Sequence, residues 1–295
     1  MATLYVLATP IGNLEDLSPR ARRVLEQCPV VAAESVRRTR ALLSHLGLGG
    51  KRIVSCREAN RRRAAGQVLA ELEAGRDVAL VSDAGTPGIC DPGSWVVEQV
   101  AGSGHRISPV PGPSALTAAW SVSGLGGGPL LFLGFLPAKA GPRRRLLEQA
   151  RDTGWTLAMF EAPHRLAETA RDLAELMGER AVVMTRELTK LNQEVVHTTC
   201  RELASRLEPE VRGEVTLMVA GSREQARRAT RSQPQELDRL LTQGLEQAQE
   251  SPSRLARRVA AATGHPREQV YRRLLELQED GGYREGMRDK DHEPS

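Results

Sequence analysis

Aromatic residues are scarce in this 295-residue chain, which contains only three each of Phe, Tyr and Trp. Aliphatic packing must therefore form the interior, and extensive platforms for base stacking are not expected. Lysine is also rare, so any contact with nucleic acid has to rest on arginine; the lysines are Lys51, Lys139, Lys190 and Lys290. The net charge of +4 is a weak indication of an anionic partner.

The chain also lacks the patterns of metal-binding, secreted and membrane proteins. Its four cysteines have no CxxC spacing and no two histidines stand four residues apart, so we expect reduced thiols and no metal. No apolar run approaches 18 residues, and no basic segment followed by a long apolar one opens the chain. We therefore expect a cytoplasmic protein without a membrane association.

Apolar runs that alternate with helical patterns predict an α/β fold. The first group of predicted strands, which indicates a largely parallel sheet, covers residues 4–9, 30–34, 53–56, 78–82 and 106–110. The second group is less regularly separated by helices and predicts a mixed sheet; it covers residues 130–136, 156–161, 181–186, 194–199 and 214–219.

The expected organisation is two α/β domains followed by a small C-terminal helical module. The predicted parts are an N-terminal domain (1–112), a second domain (113–222), a linker (223–232), the module (233–280) and a disordered tail (281–295). In the module, helical patterns at 254–262 and 268–277 flank a Gly- and Pro-containing turn, as in a helix-turn-helix. Its arginines leave nucleic-acid contact and plain packing equally open; they are Arg257, Arg258, Arg272 and Arg273.

Residues 78–93 carry the clearest local signal. An apolar run ends in a loop rich in Gly and Pro that contains Asp83 and Asp91. A carboxylate and free backbone amides near Gly85, at the carboxyl end of a strand, suit a small polar ligand. A plain connector is the less favoured alternative, because one turn rarely needs so many Gly and Pro residues.

Six strings along the chain together resemble one family, and six in order are far more specific than any one. They are Thr9-Pro10-Ile11-Gly12-Asn13-Leu14, residues 82–93, Pro111-Gly112-Pro113-Ser114-Ala115, Gly134-Phe135-Leu136-Pro137-Ala138-Lys139, Glu161-Ala162-Pro163-His164-Arg165-Leu166 and Thr185-Arg186-Glu187-Leu188-Thr189-Lys190. Over residues 4–221 the chain resembles the ribosomal RNA small-subunit methyltransferase I family of tetrapyrrole-methylase-like, S-adenosylmethionine (SAM)-dependent methyltransferases.

The resemblance implies a homodimer with SAM in the cleft between two α/β domains of the tetrapyrrole methylase type. It implies 2′-O-methylation of a decoding-centre cytidine in 16S rRNA, with the rRNA or the small ribosomal subunit as partner. By position it assigns the cofactor to Pro10, Ser82, Asp83, Ala84, Gly85, Thr86, Pro87, Ser114, Ala115 and Phe160. Met159 and residues 216–219 would complete an apolar wall for adenine, although Met159 and Leu217 fit a core strand equally well.

A ribose hydroxyl is a poor nucleophile while protonated, so a base or a cation is expected beside it. The candidates near predicted strand ends are Glu34, Glu161, Glu187 and Lys190, with Asp83 as a competitor. For RNA, the resemblance favours Arg37, Lys139 and Arg165, and His164 is either a substrate contact or structural. Further arginines that follow strands or loops are open candidates: Arg38, Arg40, Arg57, Arg61 to Arg63 and Arg143 to Arg145.

Two loops depart from the family pattern. Ser35-Val36 stands where the family carries Asp-Thr, and Ser55-Cys56-Arg57-Glu58-Ala59-Asn60 replaces a His-rich string. Because these loops are expected to face the substrate, fewer matching residues support the identity of the substrate than support cofactor binding. Three alternatives stay open: a tetrapyrrole or other acceptor, a catalytically degenerate rRNA-binding assembly protein, and a DNA-binding regulator.

Overall fold

The first sheet is built only from parallel strands, as the sequence predicts. In this computed structural model, which describes residues 2–126, 128–207, 213–222, 237–245, 250–263 and 267–280, the strand order is β3-β2-β4-β1-β5. The strands are β1 (Thr3–Leu7), β2 (Val30–Ala33), β3 (Arg52–Ser55), β4 (Val78–Val81) and β5 (Arg106–Val110). Since all strands run the same way, the loops after them gather at one edge of the sheet.

Helices cover both faces of this sheet. They are α1 (Pro19–Gln27), α2 (Val36–His45), α3 (Arg61–Glu73) and α4 (Gly93–Gly102). The central strand β4 is buried on both sides: Val78 and Leu80 pack with α3 and α4, and Ala79 and Val81 pack with α1 and α2. This two-sided burial explains why β4 reads as a continuous apolar run.

The second sheet is mixed, which confirms the other half of the predicted fold class. Its order is β6-β7-β10-β8-β9, in which only the β6–β7 pair is parallel. The strands are β6 (Leu130–Phe135), β7 (Thr156–Glu161), β8 (Ala181–Arg186), β9 (Glu194–Thr199) and β10 (Val215–Val219). One face packs on α6 (Ala140–Arg151), α7 (Leu166–Met177) and α8 (Cys200–Arg206), and the other on α5 (Ala115–Ser123).

Several predicted strands end too late. Their last one or two residues leave the sheet, as at Thr9, which forms an isolated bridge with Gly85 instead of continuing β1. Ser82 likewise follows the end of β4, and its hydroxyl donates to the carbonyl of Gly85 at 3.0 Å. The predicted strand ends therefore belong to the loops that form the site.

Both sheets lie in one compact unit, residues 1–222, and residues 223–295 form a second. The predicted boundary near residue 112 stays a prediction, and the predicted linker (223–232) and tail (281–295) lie outside the described residues. In the second unit, helices α9 (residues 237–245), α10 (Pro252–Thr263) and α11 (Arg267–Asp280) share an apolar core. The predicted turn residues 264–266 also lie outside the described residues.

Three of the four arginines for which the sequence leaves phosphate contact and packing equally open form ion pairs in the second unit. Arg273 makes two 2.8 Å hydrogen bonds to the carboxylate of Asp238. Arg258 pairs with Glu250 at 2.6 Å and Arg272 with Glu268 at 3.6 Å. The bidentate Arg273 contact connects α11 to α9, so packing inside the unit accounts for this arginine. No helix among the described residues is both long and apolar enough to span a bilayer.

Candidate active site

Loops from the two sheets line a cleft with a volume of about 440 Å³, a size typical of small-molecule sites. The first sheet contributes Glu34, Arg38 and the loop after β4, and the start of α5 adds Ser114 and Ala115. The second sheet contributes Phe135 and the ends of β7 and β10. The cleft therefore lies at the carboxyl edge of the parallel sheet, where the loops gather.

The loop after β4 is connected to neighbouring segments by hydrogen bonds. Gly85 and Thr9 exchange hydrogen bonds of 2.9 and 3.0 Å, and the Thr86 hydroxyl donates to the carbonyl of Pro113 at 3.1 Å. Gly85 has a φ of +79°, and a Cβ atom there would lie 3.2 Å from Ile11 Cγ2. Glycine is therefore required at this position by both conformation and space.

Asp83 holds the beginning of α2. Its carboxylate accepts a 2.9 Å hydrogen bond from the backbone amide of Ser35 and lies 3.4 Å from the guanidinium of Arg38. Asp83 thus lines the cleft while its two oxygens already have protein partners, so it positions α2 as well as facing any ligand.

Three carboxylates face the cleft close enough to affect one another. Burial raises the pKa of the Glu34 carboxyl, and the negative charges of Asp83 and Asp91 raise it further. Burial also raises the pKa of Asp91, although the backbone amides of Gly93 and Gly88 donate to it at 2.7 Å. Glu34 therefore combines access to the cleft with a raised proton affinity.

On the opposite wall, α5 begins without a side-chain cap. Ser114 is its N-cap residue but does not bond to the amides of the first turn, and both Ser114 and Ala115 line the cleft. Free amides and the helix dipole at such an end favour a carboxylate ligand. Beside them, Phe160 and Thr216 face the cleft from adjacent strands.

These features fit SAM. The amides of α5 suit its carboxylate, the carboxylates of the cleft suit its ammonium and ribose hydroxyls, and Phe160 with Thr216 suits the adenine ring. Gly85 allows the loop after β4 to lie close to Ile11 and Ser114, and all three residues line the cleft.

The structure gathers most of the expected cofactor residues around the cleft, but not all of them. Ser82, Asp83, Ala84, Gly85, Thr86, Ser114, Ala115 and Phe160 line it. Pro87 is buried away from the lining, and Pro10 lines a second cavity of about 290 Å³ that shares Arg38, Ser82 and Asp83 with the first. Met159 and Leu217 are fully buried in the core beneath the sheet, so the core interpretation is the right one for them.

The four candidate catalytic residues fall into two places. Glu34 and Glu161 line the cleft, whereas Glu187 and Lys190 do not. The Glu161 carboxylate accepts hydrogen bonds from the Thr169 hydroxyl at 2.6 Å and the Ala162 amide at 2.8 Å. It also pairs with Arg165 at 3.3 Å. Since both of its oxygens are engaged, Glu161 is suited to hold the start of α7.

Glu187 and Lys190 form an ion pair with each other at 2.8 Å. The hydrogen bond from Lys190 lowers the pKa of Glu187. Burial lowers the pKa of Lys190, but its hydrogen bonds to Glu187 and Glu214 outweigh this effect and leave the pKa raised. Lys190 is therefore protonated at neutral pH and cannot accept a proton there.

The expected RNA residues lie outside the cleft lining. Arg37, Lys139 and His164 are exposed, and Arg165 donates to the carbonyl of Leu136 and pairs with Glu161. Arg143, in contrast, is 2% exposed and donates to Asp172 at 2.6 Å, so its place among possible RNA contacts was wrong. Arg61 lies 4.9 Å over the Trp95 ring and pairs with Glu58.

Both departures from the family pattern have local roles. Ser35 is the N-cap residue of α2, and its hydroxyl accepts from the Arg38 amide at 3.4 Å. Serine and aspartate are both good N-cap residues, so this change preserves the helix start. In the second loop, Asn60 accepts from the Arg57 amide at 2.7 Å and donates to the carbonyl of Ser55 at 3.1 Å.

Sequence reasoning missed several residues of the cleft. Arg38 faces the cleft, although the sequence favours Arg37 over it. The position of Arg38 three residues after the N-cap residue Ser35 could have indicated this, because it places Arg38 near Asp83. Phe135 stood inside a family-like string but received no role. Glu214 reaches the cleft through pairing of β10 with β7, which no local pattern reveals.

Comparison with known proteins agrees with this geometry. Residues 3–204 match the family of Tetrapyrrole (Corrin/Porphyrin) Methylases. A protein of Synechocystis sp. named Ribosomal RNA small subunit methyltransferase I is 39% identical over 285 residues, which cover 95% of this chain and 100% of that protein. The chain belongs to this methyltransferase family. A Thermotoga maritima relative of the same name is 41% identical over 222 residues, which cover 75% of this chain and 99% of the relative.

The ribosomal RNA small subunit methyltransferase I family consists of SAM-dependent methyltransferases, so the expected family and cofactor are confirmed. Among solved structures, uroporphyrin-III C-methyl transferase of Thermus thermophilus complexed with S-adenyl homocysteine matches with a TM-score of 0.54. It is 19% identical and covers 75% of this chain and 97% of its own. At this identity the match confirms the fold of the tetrapyrrole methylase type.

Proposed function

We propose that the protein transfers a methyl group from SAM to the 2′-oxygen of a decoding-centre cytidine in the 16S rRNA of the small ribosomal subunit. The observation that carries the proposal is the cleft in which a carboxylate of raised pKa, Glu34, lies opposite the uncapped start of α5. The names of the curated relatives support an rRNA acceptor. A cytoplasmic location and a homodimer belong to the same proposal.

The cofactor would lie between the loop after β4 and the start of α5. We assign its carboxylate to the amides of Ala115 and the next residues, and its adenine to the wall formed by Phe160 and Thr216. Asp83 and the backbone around Gly85 would bind polar atoms of the cofactor. When bound, SAM supplies a methyl group on a positively charged sulfur, which is a good leaving group.

Glu34 is the proposed general base. Its carboxylate accepts the proton of the ribose 2′-hydroxyl while the oxygen attacks the methyl carbon, so that the carbon–sulfur bond breaks and S-adenosylhomocysteine leaves. A raised pKa makes Glu34 a better proton acceptor than an ordinary glutamate. The other candidates serve less well, because Glu161 is tied to Thr169 and Ala162 and Lys190 is protonated.

Three cations near the cleft would hold the RNA backbone; Arg37 and Lys139 are exposed, whereas Arg165 is half-buried and also pairs with Glu161. Arg37 begins α2 beside Glu34, Lys139 precedes α6, and Arg165 follows β7. Arginine is suited to phosphate because its planar fork makes two parallel hydrogen bonds. His164, which is exposed next to Arg165, is proposed only as an orienting contact. The target nucleotide must leave its stack to enter the cleft.

Transfer to a tetrapyrrole is the second candidate, which the family match and the fold of the Thermus protein favour. The relatives at 39% and 41% identity make rRNA the stronger choice, since the tetrapyrrole enzyme is only 19% identical. An assay with a porphyrin or corrin acceptor distinguishes the two.

The deciding experiment uses labelled SAM and undermethylated small ribosomal subunits, with the label located by nuclease mapping and nucleoside analysis. Label on a cytidine 2′-oxygen supports the proposal. Label on any other atom would show that the proposed acceptor is wrong and would identify the true one. A protein that binds neither SAM nor S-adenosylhomocysteine in calorimetry would contradict the cofactor site itself. If the protein is instead a catalytically degenerate rRNA-binding protein, it should bind subunits in a salt-sensitive manner and transfer no methyl group.

Asp83 provides a test at a single residue. Replacing Asp83 with Ala should weaken SAM binding markedly, and the matched variant Arg38→Ala removes the ion pair while leaving the carboxylate in place. If both variants lose SAM affinity equally, Asp83 acts through α2 rather than through a direct contact. Unchanged affinity in Asp83→Ala would remove Asp83 from the cofactor site.

A further inference from the structure

The three phenylalanines of the chain lie together, and two of them, Phe135 and Phe160, line the cleft. The ring centroids of Phe132 and Phe160 are 5.0 Å apart, and those of Phe135 and Phe160 are 5.6 Å apart, both edge to face. Phe132 and Phe160 are half-buried, whereas Phe135 is 55% exposed. Phe135 therefore presents a ring to the cleft that is supported by the ring of Phe160, which in turn packs on Phe132.

A break in the strand pairing places Phe135 there. The register of β6 against β7 shifts between Phe132 and Phe135, and Gly134 between them has a φ of +63°. A bulge of this kind redirects the side chain that follows it, and bulges are frequent next to active sites. A β-carbon at residue 134 would also approach the Cys90 sulfur to 3.5 Å, so the bulge packs against the loop after β4.

That contact makes one continuous apolar surface at the cleft. The Cys90 sulfur lies beside the bulge at Gly134, and the neighbouring Ile89 is 42% exposed. Single exposed hydrophobic residues are ordinary in proteins. Here two of them, Ile89 in the loop after β4 and Phe135 at the end of β6, line the same cavity. In a chain with so few aromatic residues, this pair indicates a contact with a ligand.

The surface borders the carboxylates of the cleft. Cys90 precedes Asp91, whose charge acts on both Cys90 and Glu34. Phe135 and Glu34 line the same cleft, so a nucleotide whose base lies on Phe135 would have its ribose in the cleft that contains the proposed base Glu34. The cofactor, in contrast, is expected along the more buried wall of Ser114, Ala115 and Thr216.

We propose that Phe135, backed by Phe160 and flanked by Ile89, stacks on the base of the acceptor nucleotide after it has turned out of the RNA. The proposal deepens the proposed function and rests on it. Extruded bases are typically held between aromatic or apolar side chains, and stacking on one aromatic ring contributes about 1–3 kcal/mol. At 1.4 kcal/mol per factor of ten, loss of the ring corresponds to about a tenfold weaker interaction.

The test compares Phe135→Ala, Phe135→Leu and Phe135→Tyr with the wild-type protein. Steady-state methyl transfer to undermethylated small subunits gives KM and kcat, and calorimetry gives the Kd for SAM. Trp155→Leu is the matched control, because Trp155 is 44% exposed at the opposite end of β7 and outside the cleft. Thermal unfolding of every variant checks that the fold is retained.

We expect Phe135→Ala and Phe135→Leu to raise KM for the subunits by about tenfold, with SAM affinity within twofold of wild type. Phe135→Tyr and Trp155→Leu should leave KM near the wild-type value. A Leu variant that works as well as Phe, or a SAM affinity that falls together with KM, would overturn this inference alone. Absence of transfer by the wild-type protein would instead overturn the proposed function, and this inference with it.

Discussion

The side-chain hydroxyl of Thr189 accepts a 3.1 Å hydrogen bond from the backbone amide of Asn13, although 176 residues separate the two. Thr189 lies in the loop between β8 and β9, and Asn13 lies in the loop after β1. The contact therefore joins the two sheets beside the cleft. Thr189 and Glu187 have positive φ angles of 65° and 49° without being glycine, so tertiary contacts hold this loop in a strained conformation.

Gly12→Ala should destabilise the protein by about 1–3 kcal/mol, a cost typical of overpacking. The added Cβ atom would lie 2.5 Å from Lys190 Cγ and 2.9 Å from the carbonyl oxygen of Leu188, and the latter is backbone that cannot move aside easily. Calorimetric unfolding measures the loss. The control is Gly66→Ala in α3, where no atom lies within 4 Å and where about 0.5–1 kcal/mol of stabilisation is expected. Equal stability of Gly12→Ala and wild type would show that the loops do not touch in solution.

Glu34→Gln should abolish most activity while raising the melting temperature at neutral pH. Because the folded pKa of Glu34 lies above its ordinary value of 4.5, its contribution to stability is greatest below pH 4.5 and is lost as the pH rises through the folded pKa. The ionised form therefore destabilises the native state at neutral pH, and a neutral amide removes that effect. The pH profile of kcat/KM should rise with an acidic limb that belongs to Glu34.

The control for Glu34→Gln is a second variant, measured by the same pH profile of kcat/KM. Glu58→Gln changes an exposed glutamate outside the cleft lining and should keep the acidic limb in place. If the limb persists unchanged in the residual activity of Glu34→Gln, another group accepts the proton.

Arg143→Ala should cost about 3–5 kcal/mol, because it leaves the carboxylate of Asp172 buried without its main partner. The guanidinium of Arg143 connects α6 to α7 through Asp172 at 2.6 Å and Glu168 at 3.3 Å. Arg145→Ala, two residues away and exposed, should change stability by less than about 0.5 kcal/mol. Chemical denaturation compares them. A small effect of Arg143→Ala combined with a loss of RNA binding would reverse the structural role assigned to Arg143.

Arg37→Ala should weaken subunit binding and lower the slope of log affinity against log salt by about one unit, as expected for the loss of one phosphate contact. Filter binding at several salt concentrations measures the slope. Arg22→Ala removes an equal charge from α1, where Arg22 pairs with Glu26, and should leave the slope unchanged. Identical slopes for both variants would mean that Arg37 is only a solvated charge.

Much of the fold could be predicted because burial patterns are local. Strands β5, β7, β8 and β9 have the predicted bounds, since alternating or continuous apolar residues end there at polar or turn-forming ones. The ends of β1 and β4 were predicted too late, because Thr9 and Ser82 are redirected by hydrogen bonds to Gly85 that connect distant segments. A local pattern contains no information about such partners.

The sequence by itself determined the α/β class, the parallel and mixed sheets, the family and the loop of residues 82–87, because each depends on short strings or on periodic burial. Only the tertiary structure decided which charged residues share the cleft. It separated Glu34 from the Glu187–Lys190 pair, buried Arg143 against Asp172 and brought Phe135 to the cleft through a bulge. Proton affinity, ion pairing and exposure depend on neighbours that are distant along the chain, so no reading of adjacent residues could assign them.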